Sequence, residues 1–208
     1  MIDGVAFASC YVYSPAGEGG TCARSRLLRA LLKGGDARFM FKYAARVRQQ
    51  AEPMASLAGF FLADDVLVPV PRSATKTGGT WAAAELARAL VRAGVGGAIW
   101  PGLHRISSVC KSATARKGCR PSVARHFDSF RLDPPEIRPQ RVIVIDDVIT
   151  RGRTLLAAAA RVREALPDTP IRTFALLRTM APISDLTNLL DPCRGEIRWI
   201  RGDARREP

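Results

Sequence analysis

Short unbroken apolar runs alternate along this chain with longer stretches of helical period, and the clearest run is Val142-Ile143-Val144-Ile145. Four β-branched residues in succession, too few for a buried helix, predict a strand covered on both faces. Asp146 and Asp147 end that run, and Thr150, Gly152 and Thr154 make a small-residue turn. Leu155 to Leu166 is then apolar at Leu155, Ala159, Val162 and Leu166 and stops at Pro167, which predicts a helix. Upstream, Val5 to Tyr13 predicts a strand and Ser14 to Thr21 a Gly-rich turn. Arg24 to Lys33 predicts a helix, apolar at Leu27, Leu28, Leu31 and Leu32 and stopped by Gly34-Gly35. Asp36 is placed to cap a second helix with Phe39, Met40, Tyr43 and Val47 on one side before Pro53, an aromatic face read as core packing. Asp65 to Pro71 reads as a short buried strand, Thr80 to Ala93 as a helix, and Gly97 to Trp100 as a further strand. His126 to Leu132 alternates as a strand that closes a hairpin with something upstream. Ile171 to Arg178 suits another buried strand, Ile197 to Ile200 a short edge strand, and Gly202 to Pro208 a frayed tail.

Strand, acidic pair, turn and helix in that order specify chemistry. Backbone N–H groups at a tight turn feeding a helix N-terminus converge on one spot, where the helix dipole adds partial positive charge, so a phosphate fits the loop. Thr150 and Thr154 add hydroxyl donors. Asp146 and Asp147, one step earlier, are acceptors when ionised and suit vicinal sugar hydroxyls or a hydrated Mg²⁺. Phosphate on one side and hydroxyls on the other describe a ribose 5-phosphate. A second anion-binding loop follows the strand at 65–71: Arg72-Ser73-Ala74-Thr75-Lys76-Thr77-Gly78-Gly79 sets two cations, hydroxyls and a Gly pair at a strand's carboxyl end. It is not a nucleotide P-loop, because no Gly-Lys-Ser/Thr occurs in the chain.

The 208 residues accommodate one α/β domain with an appendage. A formal net charge of +13, carried mostly by Arg spread along the chain, favours polyanionic partners without choosing among a sugar phosphate, nucleic acid and acidic lipid. Cys10, Cys22, Cys110, Cys119 and Cys193 are odd in number and contain no Cys-x-x-Cys pair, so neither a disulfide framework nor a structural zinc site is expected. With no bilayer-length apolar run and no basic segment followed by a hydrophobic core at Met-Ile-Asp-Gly, a cytoplasmic protein with reduced thiols is expected. Residues 101–140 are rich in Arg, Lys and Pro with almost no helical period, and read as a functional or mobile basic loop. His104 and His126, lone histidines in that segment, read as surface residues.

Val142 to Thr154, with its four apolar residues, two acids and Thr/Gly-rich loop, resembles the PRPP-binding signature of type I phosphoribosyltransferases. Tyr11 to Tyr13, the Leu31 to Gly35 turn, Val68 to Pro71, Leu103 to Arg105, Arg120 and Phe127 to Leu132 narrow the resemblance to the ComF branch, whose members include a DNA-uptake factor of competent bacteria. Two departures separate the chain from that branch: the amino-terminal four-cysteine zinc module is absent, and Arg72 to Gly79 lacks the Arg-Gly-Phe-Asn-Gln run. The resemblance implies a Rossmann-like parallel sheet flanked by helices, with a hood segment over 1–63, a phosphoribosyltransferase core over 64–202 and a tail over 203–208. It implies Mg²⁺-dependent transfer of 5-phosphoribosyl from PRPP to a nucleobase or amine, with Asp146, Asp147 and Lys111 as catalytic residues. Thr150, Arg151, Gly152, Arg153 and Thr154 would bind the 5-phosphate; Arg72, Ser73, Lys76, Gly78, Gly79 and Arg105 would bind pyrophosphate, with Arg116 and Lys117 behind. Mg²⁺ would meet Asp146 and Asp147 through hydroxyls or water. A homodimer is the expected assembly. The reading from another class is a non-catalytic PRPP-fold protein acting in DNA uptake, or as an adaptor for single-stranded DNA or a partner.

Overall fold

A computed structural model describes residues 2–74, 79–110, 120–181 and 185–208. Its elements in chain order are β1 (Gly4–Tyr13), α1 (Gly20–Gly34), α2 (Ala37–Ala51), β2 (Val66–Pro69), α3 (Ala82–Arg92), β3 (Ala98–Ile99), β4 (Leu103–Arg105), α4 (Val123–Asp128), β5 (Phe130–Leu132), β6 (Val142–Ile149), α5 (Arg153–Ala165), β7 (Ile171–Thr179), β8 (Leu190–Ile200) and β9 (Asp203–Glu207). The main sheet has the order β3-β2-β6-β7-β1-β8-β9, and β4 pairs with β5 in a separate antiparallel hairpin. β3, β2, β6, β7 and β1 run parallel; β8 and β9 are antiparallel additions on the β1 side. The protein is therefore α/β, with a mostly parallel sheet between helices.

β6 is central because its side chains feed both layers. Ile143 and Ile145 pack with Leu28 and Leu32 of α1, Met40 and Val47 of α2, and Leu86 and Leu90 of α3. Val142 and Val144 pack with Leu155 and Val162 of α5 and with Phe130 of the hairpin. A strand buried on both faces reads as a continuous apolar run for this reason. It does not stop at the carboxylates: pairing with β7 continues through Asp146↔Ala175 to Ile149↔Arg178.

Four expectations are corrected. His126 to Leu132 is not one strand, because Ser122 accepts a bond from the Arg125 N–H and caps the short helix α4, leaving Phe130–Leu132 as the strand. The hairpin itself forms as expected, Leu103–Arg105 against Phe130–Leu132. Ile197–Ile200 is the last part of an 11-residue interior strand between β1 and β9. Gly202 to Pro208 is not a frayed tail: Arg201 (φ 50°) and Gly202 (φ 82°) turn the chain, and Asp203–Glu207 pair with β8. Positive φ at both residues of a two-residue loop is the type I′ hairpin pattern, whose twist suits flanking strands. The first 63 residues also do more than cover the sheet, since β1 lies inside it between β7 and β8.

No helix among the described residues is long and apolar enough to cross a membrane.

Candidate functional site

Asp146 and Asp147 stand near the carboxyl end of β6, and each answers to a cation from a different layer. Asp147 is 4% exposed and ion-pairs with Lys33 of the last turn of α1. Asp146 accepts the Asp147 backbone N–H at 2.8 Å through Oδ1. Burial, and then the neighbouring Asp147 charge, push the Asp146 carboxyl well above the usual aspartate range, partly offset by Lys33. On the other layer Arg105 of β4 feels the Asp146 charge, which raises its affinity for a proton, while burial pulls the guanidinium down to about 10.

Arg105 also ties the loop after β2 to the hairpin. Its Nε donates to the Arg72 carbonyl at 2.6 Å, its Nη1 to Ser129 Oγ at 2.5 Å, and its guanidinium lies 4.4 Å from the Phe130 ring centroid. Arg72 Nη1 in turn donates to the Gly79 carbonyl at 2.9 Å, and the Ser73 carbonyl accepts the Val109 N–H at 3.0 Å. Arg72, Ser73, Gly79 and Arg105 thus form one connected unit beside Asp146. Lys76, Gly78, Lys111, Arg116 and Lys117 lie outside the described residues.

The loop from Thr150 to Thr154 turns β6 into α5. Gly152 occupies the N-cap position with φ 89°, and a Cβ there would meet Ile197 Cγ2 at 2.6 Å, so both conformation and space demand glycine. Its carbonyl accepts the Leu156 N–H at 2.8 Å and opens the helix. Thr150 Oγ1 lies 3.0 Å from Thr179 Oγ1 at the end of β7. The two loop arginines turn toward β9. Arg153 donates to Asp203 through Nε at 2.5 Å and Nη2 at 2.6 Å, and Arg151 Nη1 reaches the same carboxylate at 3.2 Å. These bonds, Arg153's above all, hold the Asp203 carboxyl below its ordinary range. The guanidiniums that the resemblance assigns to a 5-phosphate are thus engaged by a strand that reads in sequence as a tail, while the first-turn amides of α5 have no intrahelical acceptor.

His126 corrects the surface reading. It is 3% exposed, because α4 turns it onto the hairpin, where its ring stacks 6.3 Å from Phe130. Nε2 lies 3.5 Å from Thr154 Oγ1, and Nδ1 has no hydrogen-bond partner among the described residues. Burial, then the charges of Arg105 and Arg153, push the imidazole down to about 4, so the ring is neutral at physiological pH. His104 is a surface residue as read, its Nε2 2.9 Å from Asp133 Oδ2.

Lys33, His126, Thr179 and Asp203 are the site residues that sequence reasoning missed. Lys33 directly precedes a recognisable helix stop, and Arg201-Gly202 before Asp203 is a usable hairpin signal. His126 and Thr179 carry no local signal. Among the described residues no three His, Cys, Asp or Glu converge on a metal position. Two adjacent carboxylates are nevertheless hard oxygen donors of the type Mg²⁺ takes.

No family model matches the chain, and no curated protein matches it.

Proposed function

We propose that the protein binds PRPP across the carboxyl end of β6 and transfers its 5-phosphoribosyl group to a nucleobase or amine, releasing pyrophosphate. The observation that carries this reading is the succession of Asp146-Asp147, the Gly152 turn and the α5 N-terminus, with the Arg72–Arg105 unit alongside. The α5 amides and Thr154 hydroxyl take the 5-phosphate, and the carboxylates accept the ribose hydroxyls. Arg72 and Arg105 face the pyrophosphate. The acceptor nitrogen attacks the anomeric carbon as the carbon–oxygen bond to pyrophosphate breaks, and the leaving oxygen keeps the bonding electrons. Positive charge then grows on the ring beside Asp146 and negative charge on the leaving oxygens beside the guanidiniums, where fixed charges contribute most. Asp146 and Asp147 would hold Mg²⁺, which would supply further charge neutralisation when bound. Asp146, with its raised proton affinity, is the better placed of the two acids to take the acceptor's proton, since Asp147 is paired to Lys33.

The test is acceptor-dependent pyrophosphate release from PRPP and Mg²⁺ across a panel of nucleobases and amines. The reading expects at least one acceptor to support turnover, with a loss of about a hundredfold or more in Arg105→Met. Folded wild type that releases pyrophosphate with none of them would contradict the transfer step.

A further inference from the structure

A cavity of about 420 Å³ opens between the Thr150–Arg151 loop and the terminal hairpin, lined by Thr150, Arg151, Ile200, Asp203, Ala204, Arg205 and Arg206. Three guanidiniums and a single carboxylate line it, and the carboxylate of Asp203 is already taken by Arg151 and Arg153. The balance of charge is therefore positive where Arg205 and Arg206 lie.

Arg206 sharpens the point. Ala204 of the same strand is buried against α5, and Arg206, two residues on, follows it inward, 6.0 Å from the Phe7 ring centroid. Its Nη2 donates to the Thr179 carbonyl at 3.1 Å, but the buried Nη1 has no acceptor among the described residues. A desolvated guanidinium N–H without an acceptor is costly, and Arg178 adds like charge nearby. Arg205 contributes a more exposed guanidinium whose ion pair with Glu207 is long, 3.6 Å. Thr150 Oγ1 adds a hydroxyl.

We propose that this cavity is a second anion site, in which Arg205 and Arg206 bind the phosphate group of a small molecule. It goes beyond the PRPP reading, because three of its five polar lining residues, Asp203, Arg205 and Arg206, belong to β9, only Thr150 and Arg151 are shared with the loop given to the 5-phosphate, and neither Asp146 nor Asp147 lines it.

The experiment titrates inorganic phosphate, and separately glycerol phosphate, into the full-length protein at constant ionic strength, following backbone amide shifts by NMR. Saturable shifts at Ala204, Arg205 and Arg206 are expected, weakened about tenfold in Arg206→Met, as for loss of a charge-assisted bond. Arg205→Gln, on an exposed side chain, is expected to weaken them severalfold and serves if Arg206→Met does not fold. A tighter response to glycerol phosphate marks the site as one for esterified phosphate, and an equal response as one for the free ion. Shifts no larger than chloride produces, or unchanged in both variants, would overturn the proposal. The Asp146→Asn/Asp147→Asn variant must keep the β9 response, so a failure of PRPP binding and a failure of this site remain separate outcomes.

Discussion

Asp146 carries its charge at a cost, because burial and the adjacent carboxylate both favour the protonated form. A carboxyl whose folded-state pKa is raised binds more protons folded than unfolded between the two values, so its contribution to stability declines as pH rises through that window. Asp146→Asn, which keeps the shape without the charge, is expected to raise the melting temperature at pH 7 by about 2–4 °C, with the gain shrinking toward pH 4. Thermal melts across pH check this. His126 has the opposite sign. Its folded value of about 4 lies below the ordinary 6.5, so its contribution is present above pH 6.5 and lost as pH falls toward 4. His126→Gln is expected to flatten the stability slope between those values; denaturant titrations at pH 7 and pH 5 read the change. Gly152→Ala tests the loop more severely, because the added Cβ meets Ile197 and the residue keeps φ 89°. A loss of about 2 kcal/mol or more in denaturant unfolding is expected.

Among the elements, β9 links the end of the sheet to the β6–α5 turn. Asp203 clamps both loop arginines, so the antiparallel hairpin at one end of the sheet buttresses the turn at the end of β6. Asp203→Ala is expected to cost about 1 kcal/mol, the carboxylate being one-third exposed and its bonds screened by solvent, and to broaden the Thr150–Thr154 amide signals in NMR. β6 and α5 were legible because burial on both faces leaves an uninterrupted Val142 to Ile145 run and a periodic apolar face after it. Of β8 only Ile197–Ile200 was legible, and β9 was not, because Asp191, Pro192, Arg194, Gly195 and Arg205 show no alternation, and backbone pairing with β1 and β8 forms these strands. α4 was misread for a related reason: Phe130 and Leu132 fit the strand period while Phe127 and Phe130 fit the helical one, and the Ser122 cap decided where the helix ends and the strand begins. The acidic pair and the anion loop could be found from residue types alone, but not the partners Lys33 and Asp203, which arrive from elements 114 and 50 residues away, by the numbering of the Lys33–Asp147 and Arg153–Asp203 contacts.

For the whole molecule, the formal net charge of +13 favours anionic partners in general. Phe127 and Phe130 offer no free ring for stacking single-stranded bases: Phe130 is 2% exposed, and Phe127 lies under the Arg161 guanidinium at 3.7 Å. Single-stranded DNA is therefore expected to bind only through phosphate charge, with affinity falling steeply with salt and little effect of base composition, which fluorescence anisotropy at several salt concentrations measures.

On the proposed function, the β6 carboxylates and the loop behind them hold PRPP. Calorimetric titration of PRPP with Mg²⁺ into wild type and into Asp146→Asn/Asp147→Asn tests it most directly. Saturable binding by wild type is expected, in the range of about 1 μM to 1 mM common for enzyme substrates, with loss of that binding in a double variant that remains folded. Folded wild type that does not bind PRPP, or a double variant that binds it equally well, would contradict it.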